Sequence, residues 1–244
     1  MLSNVTHASI VEFQTSHGSF KINLHDKTTP LTVDNFLRYL TSERYNNTIM
    51  HRSEKSFVLQ GGGFSFDDQL PLNEIEIFPA VSNEPVYSNV RGTIAMAKQE
   101  NKPNSATSQW FINLTNNSNN LDVQNAGFTV FGEVIEDGMK VIDSIANLPL
   151  CNNVPIGQNY TLNNVPVTDN ADSICENPDA TNFVTIYQIN IIDDADNTDA
   201  DLNSVKNTLI NQSPTTEPKS DSSGGSMFWL VLLLVTISLR QRAR

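Results

Sequence analysis

Cysteine and basic charge are what this 244-residue chain has least of: two Cys, and 15 Lys+Arg against 27 Asp+Glu for a net charge of -12. Cys151 and Cys175 cannot form a metal site alone and make no Cys-x-x-Cys redox pair, while one disulfide or two free thiols fit the count. Three of the 15 basic residues, Arg240, Arg242 and Arg244, lie in the last five positions, so the body is more acidic still. Phosphate binding needs a basic patch, and nucleic acid is therefore excluded as a partner. Long apolar runs are missing except for Met227 to Leu239, which rules out a multi-span membrane protein. Charged residues make up 17%, below the roughly 25% of an average domain, and Asn, Ser and Thr fill the gap of a loop-rich soluble chain. Residues 1–9 lack the basic and apolar parts of a signal peptide and read as a leader, truncated if the protein is exported.

What is present is mostly β patterning. Ile10-Val11-Glu12-Phe13, a turn at Ser16-His17-Gly18, and Phe20, Ile22 and Leu24 alternating with polar residues predict a hairpin with one buried face. Val33, Phe36, Leu37 and Leu40 recur at helical spacing, which predicts a helix from about Val33 to Thr41 with Thr32 as N-cap. Short apolar runs follow at 48–50, 57–59, 93–96, 110–112 and 128–131. A second helix opens near Asp137-Gly138, and a last strand covers Phe183 to Ile189. Many short strands, two helices and no βαβ alternation argue for a mainly β fold, a closed antiparallel barrel capped by two α-helices.

The predicted domain covers 10–194, with a polar loop inserted at 148–181 that carries both cysteines. A structureless loop of that length needs a staple or a function. Residues 195–223 have the acidic, Ser/Thr/Pro-rich composition of a linker. An Asp-rich calcium loop is the sharper reading of its start, but the required Gly and terminal Glu are missing. Residues 224–244 form a separate element, a predicted apolar helix ending in a basic cluster.

Met50-His51-Arg52, then Phe57-Val58-Leu59-Gln60-Gly61-Gly62-Gly63-Phe64, Gly92-Thr93-Ile94-Ala95-Met96-Ala97, Ser108-Gln109-Trp110-Phe111-Ile112, Leu121-Asp122 and Val130-Phe131-Gly132-Glu133-Val134 together resemble the cyclophilins in order and spacing. The resemblance covers roughly Ile10 to Asp193. It implies an eight-stranded barrel with two helices and peptidyl-prolyl cis-trans isomerase activity on proline-containing polypeptides. That reaction rotates an amide bond against a barrier of about 18–20 kcal/mol and breaks nothing, so no nucleophile, general base, metal or cofactor is required.

A cation facing the prolyl nitrogen and an apolar slot for the ring are what the reaction needs. By resemblance Arg52 is that cation, and it keeps its proton near neutral pH. Phe57, Phe111 and Leu121 match the proline pocket, with Met96 and Ala97 on the neighbouring wall and Val58 beside Phe57, where methionine is common. Gln60 and Gln109 match amides that hold the substrate backbone or the arginine. Phe128 stands where the family has a pocket histidine, and Asn120 where many members have the tryptophan linked to cyclosporin binding. His51, on the opposite side of its strand from Arg52, is expected to be structural.

Cys151 and Cys175 are expected to be bonded to each other, closing a region that is short in simpler cyclophilins. The order Gly224-Gly225-Ser226, apolar run and terminal arginines resembles the Gly-Gly C-terminal sorting signals of Gram-negative bacteria, which a rhomboid-type protease cleaves. That implies an extracytoplasmic domain, at least transiently membrane-anchored, with the arginines on the cytoplasmic side. A non-catalytic module that only holds Pro-containing peptides is the competing functional class.

Overall fold

The structure, a computed structural model, describes residues 9–157, 159–169, 174–195 and 198–212. The expected hairpin forms from β1 (Ile10–Thr15) and β2 (Gly18–Leu24), in register from Ile10 opposite Asn23 to Thr15 opposite Gly18. Gly18, at φ 109°, supplies the turn conformation that an L side chain resists. Val11, Phe13, Phe20, Ile22 and Leu24 are all buried, because successive strand residues face opposite sides.

Helix α1 spans Pro30–Thr41 and so begins three residues before the predicted start, with Pro30 in its first turn and Thr29 as N-cap. Thr32, expected to cap, lies inside the helix. Its N–H (2.9 Å) and hydroxyl (2.8 Å) donate to the carboxylate of Glu84, which reaches in from a remote segment and satisfies donors that a helix start leaves free.

The chain continues through β3 (Thr48–Ile49), β4 (Arg52–Glu54), β5 (Val58–Gly61), β6 (Phe64–Ser65), β7 (Asn73–Glu74), β8 (Thr93–Met96) and β9 (Trp110–Asn113). A single-turn helix α2 (Ser118–Leu121), strand β10 (Val130–Ile135) and helix α3 (Gly138–Ala146) follow. After an inserted region containing β11 (Leu150–Cys151), β12 (Val154–Ile156), β13 (Tyr160–Leu162) and β14 (Val165–Pro166) comes the long β15 (Thr185–Asp193).

One curled antiparallel sheet takes eleven of these strands, in the order β4-β5-β9-β8-β10-β2-β1-β15-β3-β6-β7. The sequence pattern predicts a closed barrel of eight strands, whereas the sheet is a curled half-barrel whose order does not return to its first strand. The ladder has more segments because 48–54 is divided between two neighbours: Met50 N–H donates to Val184 O (2.9 Å) on one side, His51 N–H to Gln60 O (3.0 Å) on the other. Among the described residues there are three α-helices rather than two, the extra one being α2.

Val33, Phe36 and Tyr39 of α1 and Ile142 and Ile145 of α3 share one core with the sheet's inner face. Phe13 sits in the aromatic centre, 4.7 Å from Phe20 and 5.3 Å from Trp110 between ring centroids. Burying each such ring contributes about 1.5–3 kcal/mol.

The described part of 148–181 is folded rather than structureless. β11 pairs with β14 and β12 with β13, and Cys151, Val154, Ile156, Val165 and Val167 form a second core with Ile49, Phe64, Leu72 and Phe183. Cys151 and Cys175 are disulfide-bonded, Cα to Cα 5.3 Å.

Part of the predicted linker is also folded. Residues 198–212 lie along the sheet: Ser88 N–H donates to Val205 O (2.8 Å), Asn207 N–H to Val86 O (2.9 Å), and the Asn207 amide to Asp122 O (3.1 Å). Composition misses this because the partners, Val86, Ser88 and Asp122 among them, are remote in sequence. No helix among the described residues is long and apolar enough to cross a membrane. The apolar segment 227–239, like most of the predicted leader, lies outside the described residues.

Candidate active site

Strand register assembles the site. Arg52 of β4 is opposite Gln60 of β5, Gln60 opposite Phe111 of β9, Phe111 opposite Ala95 of β8, and Ala95 opposite Val130 of β10. Side chains in one cross-strand row share a face, so Arg52, Gln60, Phe111 and Ala95 project together on the outer surface of the sheet. The next row, Gly61, Trp110 and Met96, faces inward. Met96, expected on the pocket wall, accordingly lies in the main core, and the wall is made by Ala95 and Ala97 on either side of it.

Phe111, Leu121, Phe128, Val58, Ala95, Ala97 and Val130 form a third apolar cluster, with Phe57 half-buried at its edge. The rings of Phe111 and Phe128 meet edge to face at 5.8 Å. Thus the structure brings Phe57, Val58, Ala97, Phe111, Leu121 and Phe128 together as expected. Asn120, in α2, is exposed.

The glutamines pair with one another: Gln60 Nε2 donates to Gln109 Oε1 at 2.9 Å. The glycines that follow Gln60 make room for this. A Cβ on Gly63 would come within 2.6 Å of the Gln109 amide nitrogen, and Gly62 turns the chain at φ 78°. Arg52 pairs instead with Glu54, two residues along the same face, from Nη2 to Oε2 at 3.3 Å. His51 is buried on the inner side, where loss of solvation, aided by the Arg52 charge, pushes its pKa down to about 3. It is a neutral packing residue, edge-on to Phe64 at 5.0 Å.

Several supporting residues escaped the sequence reading. Asn89 donates from its backbone and side chain to Asp122 Oδ1 (2.7 and 3.0 Å), Asn113 donates to Asn89 and Thr93, and Asn117 donates to Asn113 Oδ1 (2.8 Å) and to the carbonyl of Phe57 (2.9 Å). This buried network fixes Phe57 relative to the Leu121 wall. Asparagine in a chain so rich in it gives no sequence signal.

Lys98, one residue past Ala97, is buried with its ammonium donating to the carbonyls of Asn125 (2.8 Å) and Gly127 (2.5 Å) and lying 4.7 Å from the Phe128 ring centre. Burial pushes its pKa down to about 8. It clamps a loop in which Asn125, Ala126 and Gly127 all have positive φ, a strained run that needs such a tie.

This arrangement offers a fixed cation beside a shallow apolar surface. Concavities of about 350 Å³ around Leu31, Arg38 and Val81 and of about 450 Å³ around His17, Phe66 and Tyr187 lie elsewhere and contain none of these side chains. Among the described residues no group of acidic, His or Cys side chains is placed to hold a metal.

Comparison with known proteins fits that geometry. A family model for the cyclophilin type peptidyl-prolyl cis-trans isomerase/CLD matches residues 10–168. The chain is 42% identical over 142 residues to a peptidyl-prolyl cis-trans isomerase of Acinetobacter baylyi, covering 58% of this chain and 73% of the relative. It is 41% identical over 140 residues to peptidyl-prolyl cis-trans isomerase B of Escherichia coli, covering 56% and 83%. A crystal structure of a Cryptosporidium parvum cyclophilin type peptidyl-prolyl cis-trans isomerase superposes with a TM-score of 0.52 at 23% identity, over 77% of this chain and 99% of that one, a likeness of fold. With the row from Arg52 to Ala95, the matched motifs and these relatives in agreement, the chain belongs to the cyclophilin-type peptidyl-prolyl cis-trans isomerase family.

Proposed function

We propose that the chain accelerates rotation about X-Pro bonds with Arg52 as the catalytic residue. The prolyl ring rests on Phe57, Phe111, Leu121 and Phe128, and the guanidinium donates to the prolyl nitrogen once twisting has broken amide resonance and made that nitrogen basic. Donation is stronger to the twisted amide than to the planar one, which is the condition for lowering a barrier. The observation that carries the reading is the common face of Arg52, Gln60 and Phe111, set by strand register. The paired amides of Gln60 and Gln109 lie between the cation and the apolar surface, suited to receive the backbone of the substrate.

The test is Arg52→Ala in a protease-coupled assay on an Ala-Pro peptide. Loss of one preorganised donor lowers kcat/KM about 100-fold or more with the fold intact. A variant within about threefold of wild type would overturn Arg52 as the catalytic residue, and a wild-type chain inactive in this assay would leave only a Pro-peptide-binding module.

The substrates are proline-containing segments of folding or exported polypeptides, and the domain works outside the cytoplasm. The disulfide supports an oxidising compartment. The sequence of the last 21 residues supports membrane association and processing by a rhomboid-type sorting protease. Intact mass of the protein from its native cells tests this: loss of the residues after about Gly225 is expected, and a full-length cytosolic species overturns it.

A further inference from the structure

The inserted region touches the catalytic arginine through two side chains. At the turn between β13 and β14, Asn164 is held at φ 59° and its N–H is accepted by the Asn152 side chain (3.0 Å), one residue from the disulfide-bonded Cys151. Its carbonyl accepts from Ser53 N–H at 2.7 Å, so the insertion is hydrogen-bonded to the residue after Arg52. Its side-chain amide donates to Glu54 Oε2 at 3.0 Å, and that same oxygen accepts from Arg52 at 3.3 Å.

Glu54 is thus fixed from one side by the insertion and grips Arg52 from the other. We infer that Glu54, oriented by Asn164 of the inserted region, is a positioning residue for the Arg52 guanidinium.

The physical case is one of entropy and orientation. Arginine has a long side chain with about 2 kcal/mol of rotamer freedom, and a catalytic donor must be held in place before the substrate arrives. Gln60, directly across the ladder, spends its amide on Gln109. Glu54 binds one nitrogen of the guanidinium. The remaining donors of the planar fork stay available, and a pair between two partly exposed groups is weak enough not to neutralise the cation. In an isolated β4–β5 hairpin Glu54 would itself swing freely. Asn164 removes that freedom, and the disulfide with the β11–β14 ladder holds Asn164.

This inference rests on Arg52 being catalytic, and a double-mutant cycle separates the two claims. Turnover and binding of an Ala-Pro peptide are measured by exchange NMR for wild type, Arg52→Ala, Glu54→Ala, Asn164→Ala and the Arg52→Ala/Glu54→Ala double variant, with the melting temperature of each. Glu54→Ala is expected to lower kcat about tenfold with KM little changed, as misplacement of a catalytic group does. The same change in the Arg52→Ala background is expected to have less than about a twofold effect, and Asn164→Ala a smaller loss in the same direction. Glu54→Gln, which keeps an oxygen for Arg52, is expected to restore part of kcat. Full activity of Glu54→Ala, or an equal loss in both backgrounds, overturns the inference while leaving Arg52 catalytic. Full activity of Arg52→Ala removes the reading beneath it as well.

Discussion

The two cores of this molecule solve one problem by different means. In the main core, strands of six to nine residues, β1, β2, β10 and β15 among them, present every second side chain inward, and Phe13, Phe20, Ile22 and Trp110 interlock there. In the insertion, strands of two or three residues are too short for alternation to specify a register. Discrete ties do it instead. The Cys151–Cys175 bond is one, and the reciprocal pair Asn153 N–H to Asn163 Oδ1 and Asn164 N–H to Asn152 Oδ1, both 3.0 Å, is another. Burial spread over many residues makes a core tolerant of losing any one polar contact. A region held by a few ties depends on each of them.

The largest effect that would sharpen this contrast is expected from Phe13→Ala, which removes a ring touching Phe20, Phe36 and Trp110. It should cost about 3–5 kcal/mol, read by urea unfolding as a loss of the whole domain. Next is the pair Cys151→Ser and Cys175→Ser. Opening a loop with a sequence separation of 24 should cost about 3.5 kcal/mol in the chain-entropy view. Hydrogen exchange should rise at 150–166 while β1, β2 and β15 keep their protection. Uniform loss of protection in both regions would break the distinction.

A third effect comes from His51, between β3 and β4, which packs on Phe64 of the second core. His51 titrates near 3 when folded, from an ordinary value of 6.5, so the unfolded chain takes up its proton first. Its contribution is present above about pH 6.5 and is lost as pH falls toward 3. The urea midpoint should therefore drop over that window, and His51→Phe should flatten the fall. If the slope is unchanged in that variant, other groups dominate acid unfolding. The smallest effect is Asn152→Ala, which should cost about 0.5–1.5 kcal/mol for one lost hydrogen bond, seen as faster exchange at Asn164 with little change in global unfolding.

The readable parts of the molecule are the parts held by burial. The hairpin at 10–24, the helix at 138–146 and the apolar members of the pocket all follow from periodicity or motif spacing. Met96 was misplaced because a motif gives neighbours in sequence, whereas the face a residue takes is set by strand parity, and Met96 shares the inward row of Trp110. The start of α1 differs from the expected one because its N-cap, Thr29, makes no side-chain cap and the free N–H of Thr32 is accepted by Glu84, 52 residues away in sequence. Residues 198–212 read as linker because polar composition does not show which remote groups they pair with.

By itself the sequence determined the family, the mainly antiparallel fold and the apolar residues that cluster around Phe111, since each depends on residue type at short spacing. Only the tertiary structure decided that Lys98 clamps the 125–127 loop, that Gln60 pairs with Gln109, and that Glu54 and Asn164 stand behind Arg52. The physical reason is the directionality of hydrogen bonds. Apolar burial asks only that a side chain reach the right side of a strand, which alternation records, but a polar contact needs two particular atoms within about 3 Å, and for residues 110 positions apart, as Glu54 and Asn164 are, only the closed path of the folded chain brings that about.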